Sequence, residues 1–72
     1  MLKELKYTVS KNIKIARTKR NLTQEQLSEI SGIGYKYLQL IEGKNPPNIS
    51  LKMIEKLAKA LKTTPAKLLD SR

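Results

Sequence analysis

The stretch LTQEQLSEISGIGYKYLQLIEG, Leu22 to Gly43, constrains this chain most, because two short helical patterns meet there across a very brief break. Thr23 is placed as an N-cap with Gln26 three residues later. In that reciprocal arrangement a hydroxyl and a side-chain amide each satisfy a free backbone N–H, so a helix is expected from Gln24 to about Ser31. Leu27 and Ile30 are the candidates for its inner face, with Glu25, Gln26 and Glu29 outward. Ser28 is small where a following helix must cross closely, and Gly32 can take the left-handed backbone of a sharp turn. A second helix is expected from near Gly34 to Gly43. On a wheel of about 100° per residue, Tyr37, Leu38 and Ile41 share one side, and Tyr35, Lys36, Gln39 and Leu40 share the other, while Ile33, Leu38 and Ile41 are the apolar residues expected to be buried. The outer set holds one charge, an aromatic ring, an amide and a leucine, a poor choice if solubility were its only task.

The remaining segments read as further helices. Leu2, Leu5, Val9, Ile13 and Ala16 recur at the spacing of one helical stripe, so residues 2–20 can form a single amphipathic helix. The β-branched run YTVS and a capping Ser10 equally allow a helix starting at Lys11, leaving residues 1–8 as an N-terminal extension. Ile15 points away from the stripe. GKNPPNIS is a loop, since Pro46 and Pro47 refuse a helix interior. Ser50 then caps a helix with Leu51, Ile54, Leu57, Ala58 and Leu61 inside and Lys52, Glu55, Lys56, Lys59 and Lys62 outside. Thr64 and Pro65 start a short last helix carrying Leu68 and Leu69. No internal repeat and no β pattern interrupts this series. The fold expected is all-α, five helices in one domain over residues 1–72.

A chain of 72 residues must find its stability in a compact core. It has no Cys and no His, which removes disulfides, thiolate and imidazole chemistry and most zinc or iron sites. No apolar run approaches the roughly 20 residues of a membrane span, and MLKELKYTVSKN lacks the apolar block of a secretion signal. A cytoplasmic address is therefore expected, with no membrane partner. The six acids form no apolar-embedded pair and there is no phosphate-cradling glycine loop, so catalysis is not expected.

The net charge of +9 points to a polyanion, with nucleic acid ahead of a membrane surface. It is unevenly spread. Residues 1–20 carry seven Lys or Arg against Glu4, net +6; residues 21–43 carry Lys36 against Glu25, Glu29 and Glu42, net −2; residues 44–72 carry seven against Glu55 and Asp70, net +5. Attraction to phosphate must then come mostly from the flanks.

LTQEQLSEISGIGYKYLQLIEG, followed by ISLKMIEKLAKAL and TPAKLL, resembles the phage-repressor and Cro-like helix-turn-helix domains over roughly residues 9–69. The resemblance implies a five-helix lambda-repressor-like bundle, with residues 23–43 as the helix-turn-helix and 50–69 as the C-terminal helices. It also implies a recognition helix, here about 34–42, in the major groove of double-stranded DNA, where an α-helix fits. Carried over by position, Tyr35, Lys36, Gln39 and Leu40 are the expected base readers. Thr23, Gln24, Tyr37, Lys44 and Asn45 are the expected phosphate contacts, and Arg17 with Glu42 an internal salt bridge. The loop from Gly43 to Ser50 departs from the commonest pattern through its early glycine and its ProPro pair. Ser28, Gly34 and Lys62 stand where alanine, a serine-like cap and glycine are commoner.

The function expected is a sequence-specific transcriptional regulator, a homodimer on a palindromic operator without cofactor, metal or small-molecule ligand. Leu68, Leu69, Ile15 and Leu2 are the candidate dimer contacts. An antitoxin-like protein-interaction module and a sequence-indifferent nucleic-acid binder are the rival readings.

Overall fold

A computed structural model describes the backbone of residues 2–71 and the side chains of residues 5–71. Its secondary structure is five helices, α1 (Leu2–Lys19), α2 (Gln24–Ser31), α3 (Tyr35–Ile41), α4 (Leu51–Ala60) and α5 (Pro65–Leu69), with no strand among the described residues. α1 runs unbroken through Tyr7–Ser10, which selects the single-helix reading. Ser10 caps nothing; it is buried in mid-helix. The caps at Thr23, Ser50 and Thr64 each accept the backbone N–H three residues on, and Pro65 occupies the first turn of α5, where a missing N–H costs nothing.

α2 packs on α3 and α4, and α5 packs on α1 and α4. Between them lie Val9 and Ile13 of α1, Leu27 of α2, Leu38 and Ile41 of α3, Ile54, Leu57 and Ala58 of α4 and Leu68 of α5, closed by Ile33 and Leu61 from the turns. The particle measures 32 × 22 × 20 Å. Pro46 is also fully buried, so the loop between α3 and α4 is pinned to the body. Gly43 leaves α3 so tightly that a Cβ there would lie 3.1 Å from the Gln39 carbonyl oxygen, closer than side chains are ordinarily found.

Three stripe assignments fail. Ile30 is 57 % exposed and Leu51 74 %, and Leu5 is also exposed. Each lies at the margin of its helix's apolar arc, where whether a residue is covered depends on the neighbouring helix, and a helical wheel carries no neighbour. Leu2 belongs to the same expected stripe, but its side chain lies outside the described residues. α3 is shorter than Gly34–Gly43: Gly34 is its N-cap, without a side-chain cap, and Glu42 its C-cap.

Asn12 ties α1 to the end of α5. Its amide donates to the carbonyl oxygens of Leu68 at 2.8 Å and Asp70 at 2.7 Å, and more weakly to Lys67 at 3.4 Å. It thereby satisfies carbonyls that a helix leaves unpaired at its C-terminus.

Candidate nucleic-acid interface

Local chemistry fixes the turn between α2 and α3. The Thr23 hydroxyl accepts from Gln26 N at 3.0 Å while the Gln26 side chain accepts from Thr23 N at 2.8 Å. Gly32 has φ 77°, in the left-handed region that a Cβ disfavours. Ile33 is held from both sides, its carbonyl accepting from Ser28 Oγ at 2.6 Å and its N–H donating to Ser31 Oγ at 3.2 Å. With Ile33 buried beneath it, the turn has little freedom to change the angle between the two helices.

The same rigidity holds α3 from below. The Arg17 guanidinium grips Glu42 with two parallel bonds, Nε to Oε2 at 2.8 Å and Nη2 to Oε1 at 2.9 Å, and its Nη1 donates to Leu22 O at 2.7 Å. Gln24 Nε2 adds a bond to Glu42 Oε1 at 3.1 Å. One carboxylate, its side chain 2 % exposed, thus joins the end of α3 to α1, to the α1–α2 turn and to the start of α2. Bidentate charge-assisted pairs of this kind fix orientation as well as supplying energy.

Leu38 and Ile41 are fully buried and Tyr37 is half-buried, while Tyr35, Lys36, Gln39 and Leu40 are all exposed, Leu40 at 58 %. α3 therefore lifts these four side chains together onto one open face. Thr23, the cap of α2, is exposed, its hydroxyl hydrogen still able to donate. Gln24 is partly committed, because one amide N–H faces Glu42; the second N–H and the amide oxygen remain. Lys44 and Asn45 are exposed in the loop that follows α3.

Of the expected dimer contacts, Leu68 is removed, since it is 2 % exposed and belongs to the core. Ile15 is exposed and Leu69 half-buried, while Leu2 again falls outside the described side chains. Leu69 borders a shallow apolar cleft of about 340 Å³ with Leu5, Val9, Ile49, Leu51 and Ile54. Leu5 and Leu51, displaced from the expected stripes, are its exposed rim.

Two residues that tie the bundle together stand outside the motifs above. Arg20 donates through Nε to Leu61 O at 2.6 Å, closing α1 onto the end of α4. Asn12 is visible in principle, since a polar residue three after Val9 and four before Ala16 stands inside the apolar stripe of α1 and needs a partner. Among the described residues no three His, Cys, Asp or Glu side chains are grouped to hold a metal ion, and no helix is long and apolar enough to cross a membrane.

A sequence model of the helix-turn-helix family matches residues 13–68. The chain is 41 % identical over 66 residues to control protein C.SmaI of Serratia marcescens, covering 92 % of this chain and 77 % of that protein. The solved structure of the hypothetical transcription factor NHTF from Neisseria superposes with a TM-score of 0.85 at 32 % identity, over 92 % of this chain and 73 % of the other. That of the restriction-modification controller protein C.AhdI from Aeromonas hydrophila gives 0.78 at 34 % identity, over 85 % and 91 %.

Proposed function

The chain belongs to the phage-repressor and Cro-like helix-turn-helix family of DNA-binding transcription regulators, and from that premise we propose that it binds a two-fold symmetric DNA operator as a homodimer, α3 entering the major groove. The observation that carries this reading is the clamped α3 with its exposed Tyr35, Lys36, Gln39 and Leu40. Lys36 donates to guanine O6 or N7, Gln39 pairs with adenine, and Tyr35 and Leu40 meet thymine methyl groups. Thr23, the remaining amide N–H of Gln24, the Tyr37 hydroxyl, Lys44 and Asn45 contact the flanking phosphates and set the register.

A second copy of the chain covers the cleft rimmed by Leu5, Leu51 and Leu69. A symmetric operator requires a symmetric protein, with the recognition helices about 34 Å apart. The likeness to a control protein and to a restriction-modification controller supports regulation of restriction-modification genes.

Selection from random duplexes tests this reading. Two half-sites about 10 base pairs apart from centre to centre are expected. Enrichment of no motif would refute sequence-specific binding, and a motif without symmetry would refute the dimer. Replacing Tyr35, Lys36 and Gln39 together by Ala is expected to abolish the motif while leaving the helical circular dichroism intact.

A further inference from the structure

The C-terminal ends of α1 and α4 meet α5 around a cleft of about 500 Å³ that is distinct from the α3 face. Lys19, Arg20, Lys62, Thr63 and Lys67 line it, and no acidic side chain among the described residues does. Arg20 is fixed there by its bond to Leu61 O at 2.6 Å and a longer one from Nη2 to Lys62 O at 3.4 Å, which leaves further guanidinium N–H groups uncommitted. Lys19, Lys62 and Lys67 form no side-chain hydrogen bond or ion pair among the described residues.

Lys62 is the informative member. Thr63 N donates to Ala58 O at 2.8 Å and Lys62 N to Lys59 O at 3.2 Å, the paired bonds that end a helix through a left-handed residue. That residue is ordinarily glycine, yet Lys62 holds φ 55°. A lysine here carries backbone strain and also adds a like charge beside three others. Lys19 and Lys67 lie in the last turns of α1 and α5 and Lys62 directly follows the C-cap of α4, where a helix dipole favours a cation; that attraction needs no left-handed backbone, so the strain at Lys62 is not explained by it. Strain retained at an exposed, charged position points to a ligand.

We propose that this cleft binds phosphates of the DNA backbone alongside the stretch that α3 reads, an inference that rests on the DNA-binding reading above. Its cations are exposed and spread along an open groove, which suits a polyanion rather than a single enclosed ion. Arg20, which lines it, precedes Thr23 by three residues, a chain length of at most about 11 Å, so one of its cations stands on backbone within that reach of the start of α2. The cleft therefore extends the phosphate contacts of the α2 start along the strand.

The test measures binding of the full chain to a mixed-sequence duplex of about three helical turns by fluorescence anisotropy at graded NaCl. The variant carrying Lys19→Gln, Lys62→Gln and Lys67→Gln is compared with a control of equal charge loss, Lys11→Gln, Lys14→Gln and Lys56→Gln. Each phosphate deprived of its cation lowers the slope of log affinity against log salt by about 0.9. The cleft variant is expected to lose about 2 to 3 from that slope and the control less than about 1. Equal slopes for the two variants would overturn the proposal. So would equal slopes accompanied by thermal stabilisation of the parent, but not of the cleft variant, in millimolar inorganic phosphate, since the cleft would then take a free anion. Failure of random-duplex selection to enrich a motif would sink sequence-specific binding while leaving the slope comparison intact.

Discussion

At the α2–α3 end a single buried carboxylate is shared between a guanidinium and an amide, whereas at the meeting of α1, α4 and α5 several cations surround a cleft without any acid among the described residues. The first region has a capping box at Thr23 and glycine at the left-handed position between α2 and α3; the second puts a lysine in the same backbone state. The difference separates two tasks. Orientation of α3 depends on matched charge and locked turns, while attraction to a polyanion depends on charge left unmatched. One region is built for position and the other for force.

The sharpest way to break this contrast is Glu42→Ala. It strands the Arg17 guanidinium and is expected to cost about 3–5 kcal/mol, a large share of the roughly 4–11 kcal/mol available to a domain of this size. Urea denaturation measures it; a cost below about 1 kcal/mol would show that the pair is no more than a surface bridge. Next in size is Gly32→Ala. Nothing lies within 4 Å of the added Cβ, so the loss of about 1–2 kcal/mol is purely conformational and is read from the same denaturation curves. Smallest, and opposite in sign, is Lys62→Gly, expected to stabilise by about 1 kcal/mol and to raise the thermal midpoint by about 4–8 °C. A stability gain at Lys62 beside a stability loss at Gly32 would establish that the two left-handed turns follow different demands. No gain at Lys62 would remove the strain from the case for a ligand there.

What the sequence discloses follows the range of each interaction. The Thr23 and Gln26 capping box, the Gly32 turn and the caps at Ser50 and Thr64 are local and readable from spacing. Val9, Ile54 and Leu61 are readable because they sit near the centre of an apolar arc, and all three are buried. Ile30, Leu51 and Leu5 mislead because they sit at its edge, and Leu68 passes for a partner contact although the bundle itself covers it. The bonds of Asn12 to residues 55 to 58 positions away, of Gln24 to Glu42 and of Arg20 to Leu61 depend on tertiary approach, which no local pattern encodes. The family resemblance supplies Arg17 with Glu42, but not the amide of Gln24 as their third partner, which halves the donors that Gln24 can offer a phosphate.

The buried Arg17–Glu42 pair has a consequence for stringency. Ions in solution weaken exposed charges far more than buried ones. This pair is sealed at 2.8 Å, with only 12 % and 2 % of its side chains exposed. Raising ionic strength should therefore loosen the sequence-blind hold of the lysines while leaving the angle of α3 unchanged. Discrimination between a correct and an incorrect duplex would then improve as overall affinity falls, and the surrounding salt level would set how selectively this regulator reads.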